Sequence, residues 1–327
     1  MYDLVSLGEV MLRMSPPKYI RLRNATQLDV HVAGAQLNVA ANLARLGKQT
    51  AFISKLPDSE LGLLALDTCR SYGVAMDYVK LVPGGRMGVN YLEYSATPRA
   101  PINVFDRKNS AASTISPDDF DWDVMLGNTR FAHTDGIFPG ISDNCRATTQ
   151  VYLEAARRHG CQISFDLNYR EHLWTEATAR ECWQKLLPYV DVLVTNRSVS
   201  EQVFGVHGSD EDIMRFYHES FGCQVVCLTN REIFGVLKGA WSSIALVKNQ
   251  VLQGRRYEFD VLDRFGTGDA FLAGFLYGYL ERDAAFGLDF GNAACALAHT
   301  IEGDVIQFSA AEVAALLSEK PDMRVKR

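Results

Sequence analysis

The residues with the clearest chemical potential lie in one run, DRFGTGDAF, Asp263 to Phe271. Two glycines flank a threonine, an aspartate follows, and an apolar helical run begins. A Gly-Thr-Gly turn lets the backbone come close to a ligand. The free N–H groups of a first helical turn add donors, and the helix dipole favours negative charge there. Gly266, Thr267 and Gly268 therefore describe an anion hole. Asp269 falls in the same turn, where a carboxylate is itself stabilised. Donors for a phosphate beside a carboxylate for the attacking group suit phosphoryl transfer to a hydroxyl. The same residues also describe an ordinary helix cap. The run is neither a Walker A loop nor a dinucleotide fingerprint: no GK[ST] occurs, and no GxGxxG follows the first strand.

Such residues need a scaffold, and strand and helix patterns alternate along most of the chain. Strands are expected at LVSL near the start (Leu4 to Leu7), TAFISKLP, FAHTDG, QISFDLN, VLVTN, VVCLTN, GVLKG and IALVKN. Helices are expected at AQLNVAANLARLG, SELGLLALDTCRSYG, CRATTQVYLEAARRHG, TARECWQKLLPYV, VSEQVFG, DEDIMRFYHESFG, GDAFLAGFLYGYLE, FGNAACALAHTIEG and AAEVAALLSE. This alternation implies a parallel sheet covered on both faces. Two regions break it, residues 11–33 and 86–110, which read as exposed strands interrupted by prolines. They are expected to pair as a small separate lid, leaving 1–10, 34–85 and 111–327 as the core. No internal repeat, low-complexity tract or linker is visible, and KPDMRVKR reads as a frayed tail.

Composition narrows the class. The chain has 327 residues, 47% of them hydrophobic, enough for a sizeable core. A net charge of −6 gives no electrostatic case for nucleic acid or an anionic membrane. Seven scattered cysteines without framework spacing read as reduced thiols, and Cys223 and Cys227 lack a partner pair for a metal. MYDLVSLGEVML has no signal-peptide pattern, and no apolar run reaches membrane-spanning length. A cytoplasmic protein is expected.

DRFGTGDAFLAGFL resembles the C-terminal signature of the ribokinase-like (PfkB) sugar kinases, D-x-x-G-x-G-D-x-F. HVAGAQLNVAANLARLG resembles their N-terminal signature, and FISKLPDSELG the unit that follows it. Order and separation match, so the resemblance covers essentially the whole chain. SFDLNYREHLW, Ser164 to Trp174, with HTDGIF and ALAHTIEGD, is closest to the 2-keto-3-deoxygluconate kinases. The fold implied is a three-layer α/β/α sandwich with a mostly parallel central sheet and a small β lid.

The resemblance also implies roles. Asp269 is expected to be the general base, and Gly266, Thr267 and Gly268 the anion hole. Gly34 and Asn38 match positions that bind sugar hydroxyls; Asn38 also reads as a helix cap. Arg170 matches the residue expected on a sugar-acid carboxylate, though from the residues alone it reads as a surface charge. VFDRKNSAAS resembles the lid strand that supplies an arginine. Arg107 is the arginine expected to point inward, with Lys108 as the alternative, because strand neighbours face opposite ways and only one can do so. Asn90 stands where a tyrosine is usual, and Gln36 where an acid is common. Asp166 and Asn168 end a buried strand on its carboxyl side, where α/β sheets bind ligands; turn capping also accounts for them. Asn196, Thr229, Gly235, Asp263 and Asn292 are expected on the nucleotide side. ATP and Mg²⁺ are the implied cofactors, with no side chain assigned as a metal ligand, and exposed lid edges imply a homodimer.

The nucleotide side departs from the family pattern. N-x-x-E becomes Asn196 followed by Val199, with Glu201 two residues later. The usually Gly-rich loop reads REIFG, placing Glu232 where phosphates are expected. These departures leave open a slow kinase, an unusual phosphate donor or a silent sugar-acid-binding protein; a kinase for another sugar, such as fructose or 5-dehydro-2-deoxygluconate, is a separate alternative.

Overall fold

The computed structural model describes residues 1–318, so the KPDMRVKR run lies outside the described residues. In chain order the strands are β1 (Tyr2–Leu7), β2 (Met11–Ser15), β3 (Asp29–Ala33), β4 (Thr50–Pro57), β5 (Val74–Ala75), β6 (Val79–Val82), β7 (Gly88–Glu93) and β8 (Ile102–Asp106). Then follow β9 (Thr129–Asp135), β10 (Gln162–Asp166), β11 (Val192–Thr195), β12 (Val225–Gly235), β13 (Lys238–Val247), β14 (Gln250–Gln253) and β15 (Tyr257–Asp260).

The central strands are near-continuous runs of buried residues, as a parallel sheet covered on both faces requires. The large sheet runs β14-β13-β12-β11-β10-β9-β1-β4-β5, with β15 against β13 and β6 against β4. Pairing is parallel from β4 to β12 across the sheet and antiparallel at β12–β13, β13–β14 and β13–β15. Helices Ala35–Arg45, Thr267–Glu281 and Ala284–Ala298 enclose a core of Leu37, Leu43, Phe52, Phe271, Phe275 and Leu288. Helices Asp143–Arg158, Glu176–Leu186 and Asp210–Phe221 enclose a second core containing Tyr152, Phe165, Trp183 and Tyr217. This is the three-layer sandwich implied by the sequence.

A second sheet, ordered β3-β2-β7-β8, stands apart from the first, and its four strands lie within residues 11–33 and 86–110. It rests on the body through Leu12, Val32 and Leu92, all buried. Val30, Ile102 and Val104 remain 46%, 41% and 49% exposed.

Three local expectations change. GVLKG is not a strand of its own. Its residues turn the β12–β13 hairpin, whose long arms pair from Val225↔Val247 to Gly235↔Lys238. VSEQVFG forms only one wide helical turn, stopped by Gly205 at φ 68°. β14 and β15 were not legible, because they are short, largely exposed edge strands without a buried alternating face.

Candidate active site

The helix Thr267–Glu281 begins at Gly266, whose φ of 70° places it in the left-handed region. A Cβ there would also lie 2.1 Å from the Asp304 carbonyl oxygen, so both backbone and packing demand glycine. The first intrahelical bond is Ala270 N–H to the Gly266 carbonyl, at 2.8 Å. The amides of Thr267, Gly268 and Asp269 precede it and belong to the unsatisfied first turn. Gly268 has neither a positive φ nor a neighbour within 4 Å of a Cβ. Its small size leaves open space beside these amides.

Asp269 stands one step further on. Asn38 donates its Nδ2 to Asp269 Oδ2 at 2.7 Å, joining the two ends of the sequence. Asn38 is no cap: it lies inside the helix Ala35–Arg45, with its N–H bonded to the Gly34 carbonyl and its Oδ1 accepting the Gly34 N–H. Gly34 caps that helix, and a Cβ there would meet the Glu9 carbonyl oxygen at 2.1 Å.

The carboxyl ends of β9 and β10 bring two more acids close. Asp135 accepts from the Ile137 and Phe138 amides (2.9 and 3.2 Å), from the Gln36 amide, and from Asn168 Nδ2 at 3.1 Å. Asn168, at φ 37°, also bonds its own N–H to Asp166 Oδ1. Burial pushes all three carboxyls up. Asp269 lies well above the usual carboxylate range, partly offset by the Asn38 bond and raised further by Asp166 and Asp135. Asp166 is pushed up to about 7 by burial and then by Asp135. Asp135 is raised by burial against four hydrogen bonds that lower it. Charge concentrated this way suits a proton acceptor working near neutral pH.

Cations face these acids. Arg170 is exposed; its recorded side-chain bond goes to the Tyr169 carbonyl, and it forms no carboxylate pair among the described residues. Arg107 is buried while Lys108 is exposed. Arg107 pairs with buried Glu9, which also accepts from Ser110. Its Nε has no partner, and neither does the buried Asn90 Oδ1 on β7. Two orphaned polar atoms on the lid side mark donors and acceptors available to a ligand.

The other expected positions divide. Thr229 donates to the Thr195 carbonyl and Asn196 caps the turn that follows it. Gly235 sits in the β12–β13 hairpin with open space around it. Asp263 and Asn292 spend their side chains inside the protein. Asp263 accepts from Arg13, Tyr94 and the amides of Arg264, Phe265 and Gly303. Asn292 accepts from Ser243 and donates to the Arg255 carbonyl. Glu232 is half-buried and paired with Arg256 at 2.7 Å, so its charge is compensated.

Sequence reasoning passed over Asp135, Glu9, Arg13 and Arg231. The first two were findable, since HTDG and GEV each follow a buried strand at its carboxyl end. A buried Arg13 in a polar-looking lid strand left no signal.

A mostly parallel large sheet, a small β lid and a Gly-Thr-Gly-Asp helix start define the ribokinase-like class. The whole-chain comparison agrees: the pfkB family carbohydrate kinase model matches residues 1–309, and the chain belongs to that family. It is 34% identical over 316 residues to a 2-dehydro-3-deoxygalactonokinase of Haloferax volcanii, covering 96% of each chain. It is 30% identical over 309 residues to a 2-dehydro-3-deoxygluconokinase of Thermoproteus tenax, covering 93% of this chain and 90% of that one. The crystal structure of a 2-dehydro-3-deoxygluconokinase from Thermotoga maritima superposes with a TM-score of 0.92 at 35% identity, over 97% of this chain and 99% of that one.

Proposed function

We propose that this carbohydrate kinase transfers the γ-phosphoryl group of ATP to a hydroxyl of a keto-deoxy sugar acid, 2-keto-3-deoxygluconate or a near relative. The observation that carries the substrate class is Arg170, a guanidinium beside the acid cluster with no carboxylate of its own. A planar fork suits a carboxylate bidentately, and a neutral sugar has no use for it. Relatives named for 2-dehydro-3-deoxy sugar acids support the same reading.

Asp269 accepts the proton of the attacking hydroxyl, and Asn38 orients it. Gly34, Asn90, Arg107, Asp166 and Asn168 surround the sugar, the last through its bond to Asp135. The first-turn amides at Thr267 and Gly268 receive charge developing on the phosphoryl oxygens. The free amides and the open space at Gly268 fit a triphosphate, with Thr229, Asn196 and Gly235 on its side. No group of three His, Cys, Asp or Glu side chains could hold a metal among the described residues. Mg²⁺ would therefore arrive on the nucleotide, as Mg²⁺ bound chiefly through phosphates does. The exposed apolar residues of the lid support a homodimer formed there.

Turnover of ATP with 2-keto-3-deoxygluconate and with fructose, measured in parallel, tests the reading. Turnover on the sugar acid alone supports it. Turnover on fructose alone retires Arg170 as a carboxylate ligand, and none on either substrate sinks the kinase activity.

A further inference from the structure

The β12–β13 hairpin keeps only Gly235 of the glycines expected there and carries Arg231 on its arm. Arg231 is paired across the strands with Trp241, and its guanidinium carbon lies 5.4 Å from the indole centroid. Trp241 packs in turn on Phe271, at 5.7 Å, in the first turns of the helix Thr267–Glu281. The arginine is thereby laid from the hairpin toward the helix start. Its Nη2 donates to Thr267 Oγ1 at 2.6 Å. That hydroxyl donates onward to the Arg264 carbonyl at 3.0 Å, so both its hydrogen-bonding directions are in use.

Arg231 is exposed, yet no carboxylate among the described residues answers it. It forms no ion pair among the described residues, and neither do Arg170 and Arg264, whose like charges both bear on it. Glu232, the adjacent acid, is held by Arg256 instead. Arg231 thus reaches the helix start with two further guanidinium charges bearing on it, and none of the three is paired with a carboxylate among the described residues. Asp269 opposes Arg231 and Asp166 opposes Arg170, and Asp269 is the group assigned to the hydroxyl proton. Concentrated positive charge of this kind is costly unless an anion completes it.

Resting on the kinase reading above, we propose that Arg231 is a catalytic residue that moves from Thr267 Oγ1 onto the transferring phosphoryl group and stabilises its equatorial oxygens. In the step, the sugar hydroxyl oxygen bonds to the γ-phosphorus and its proton passes to Asp269. The bond from that phosphorus to the β–γ bridging oxygen breaks, and its electron pair leaves on the nucleoside diphosphate. The positive charge of Arg231 is worth most where three oxygens share the developing charge. Trp241 holds the side chain so that little freedom is lost on engagement.

The test uses full-length wild type, Arg231→Gln, Arg231→Lys and, as a control, Arg256→Gln. Turnover of the sugar acid is measured together with binding of ADP plus aluminium fluoride, a mimic of the transferring group. Arg231→Gln is expected to lower kcat by about 100- to 1000-fold, the cost of losing one transition-state donor, with the KM for the sugar acid little changed. It is also expected to bind ADP as wild type does but to lose the added tightness given by aluminium fluoride. Arg231→Lys should recover part of both losses, and Arg256→Gln should keep wild-type turnover. If wild type turns over and Arg231→Gln retains its kcat and its fluoride response, the role of Arg231 is overturned while the kinase reading stands. A fall in turnover with an intact fluoride response also overturns it, since that pattern belongs to a structural role. Wild type inert on the sugar acid overturns both.

Discussion

Asp269 answers to two opposing demands. To act as the proposed base it must be ionised, yet its surroundings favour the neutral form. Its folded pKa is raised above the unfolded value, so the proton is held more tightly in the native state. Native stability is therefore lost as pH rises through the folded pKa, where the desolvated carboxyl must ionise. Asp269→Asn removes that cost. Its melting temperature should exceed that of wild type at pH 8, and the gain should shrink toward pH 4. Its turnover should fall by about 10²- to 10⁴-fold, the usual worth of a general base. A variant both inactive and less stable at pH 8 would contradict this account. Asp166, at about 7, belongs to the same cluster, so the acid limb of kcat/KM should report the group rather than one residue. Arg170→Gln should reduce kcat/KM for the sugar acid by about 10- to 100-fold, the worth of a charge-assisted bond, while any fructose turnover stays unchanged. An equal loss on both sugars would show that Arg170 does not read a carboxylate.

At the scale of elements, the lid is tied to the Gly-Thr-Gly turn by one buried arginine. Arg13, on β2, is 1% exposed and reaches Asp263 at 3.2 Å and Asp304 at 2.7 Å. Tyr94, just beyond β7, donates to Asp263, and the Phe265 ring lies 5.3 Å from the Arg13 guanidinium carbon. The Asp304 carbonyl is also the group packed against Gly266. Lid strand and Gly-Thr-Gly turn therefore share one network. Burial pushes Asp304 up to about 6 even with Arg13 beside it. Its folded pKa is raised, so ionising it in the native state costs stability as pH rises through about 6. Arg13→Met would leave two buried carboxylates uncompensated and should cost about 3–5 kcal/mol at pH 8, with a smaller loss near pH 5. Urea melts at the two pH values measure this; equal losses at both would exclude an ionised Asp304 as the source. The arginine also shows where the sequence stops being informative. β2 and β7 were legible as strands of a separate sheet. That Arg13 is the hub of the molecule depends on partners 250 residues away, which strand patterning does not encode.

For the whole molecule, the exposed lid residues Val30, Ile102 and Val104 raise the question of a second chain. Edge strands β3 and β8 also carry unpaired backbone groups, which proteins ordinarily cover or blunt. Pairing of two lids would bury both features. Light scattering should give twice the chain mass for wild type and a monomer for Val104→Lys. A wild-type monomer would remove the dimer.

Local physics made much of this protein readable in its sequence. Continuous apolar runs set the parallel strands, proline-broken polar runs set the lid segments, and the Gly-Thr-Gly-Asp turn announced a helix start with free amides. Those features depend on neighbours in the chain, so the chain alone specifies them. The tertiary structure decided the rest. It placed Asn38 on Asp269, gave Arg107 to Glu9 and left Arg170 unpaired. It also turned REIFG from a missing glycine loop into a hairpin that delivers Arg231 to Thr267. Charge and hydrogen bonding act through space over a few ångströms, so which polar groups compensate one another is fixed only when distant strands and helices meet.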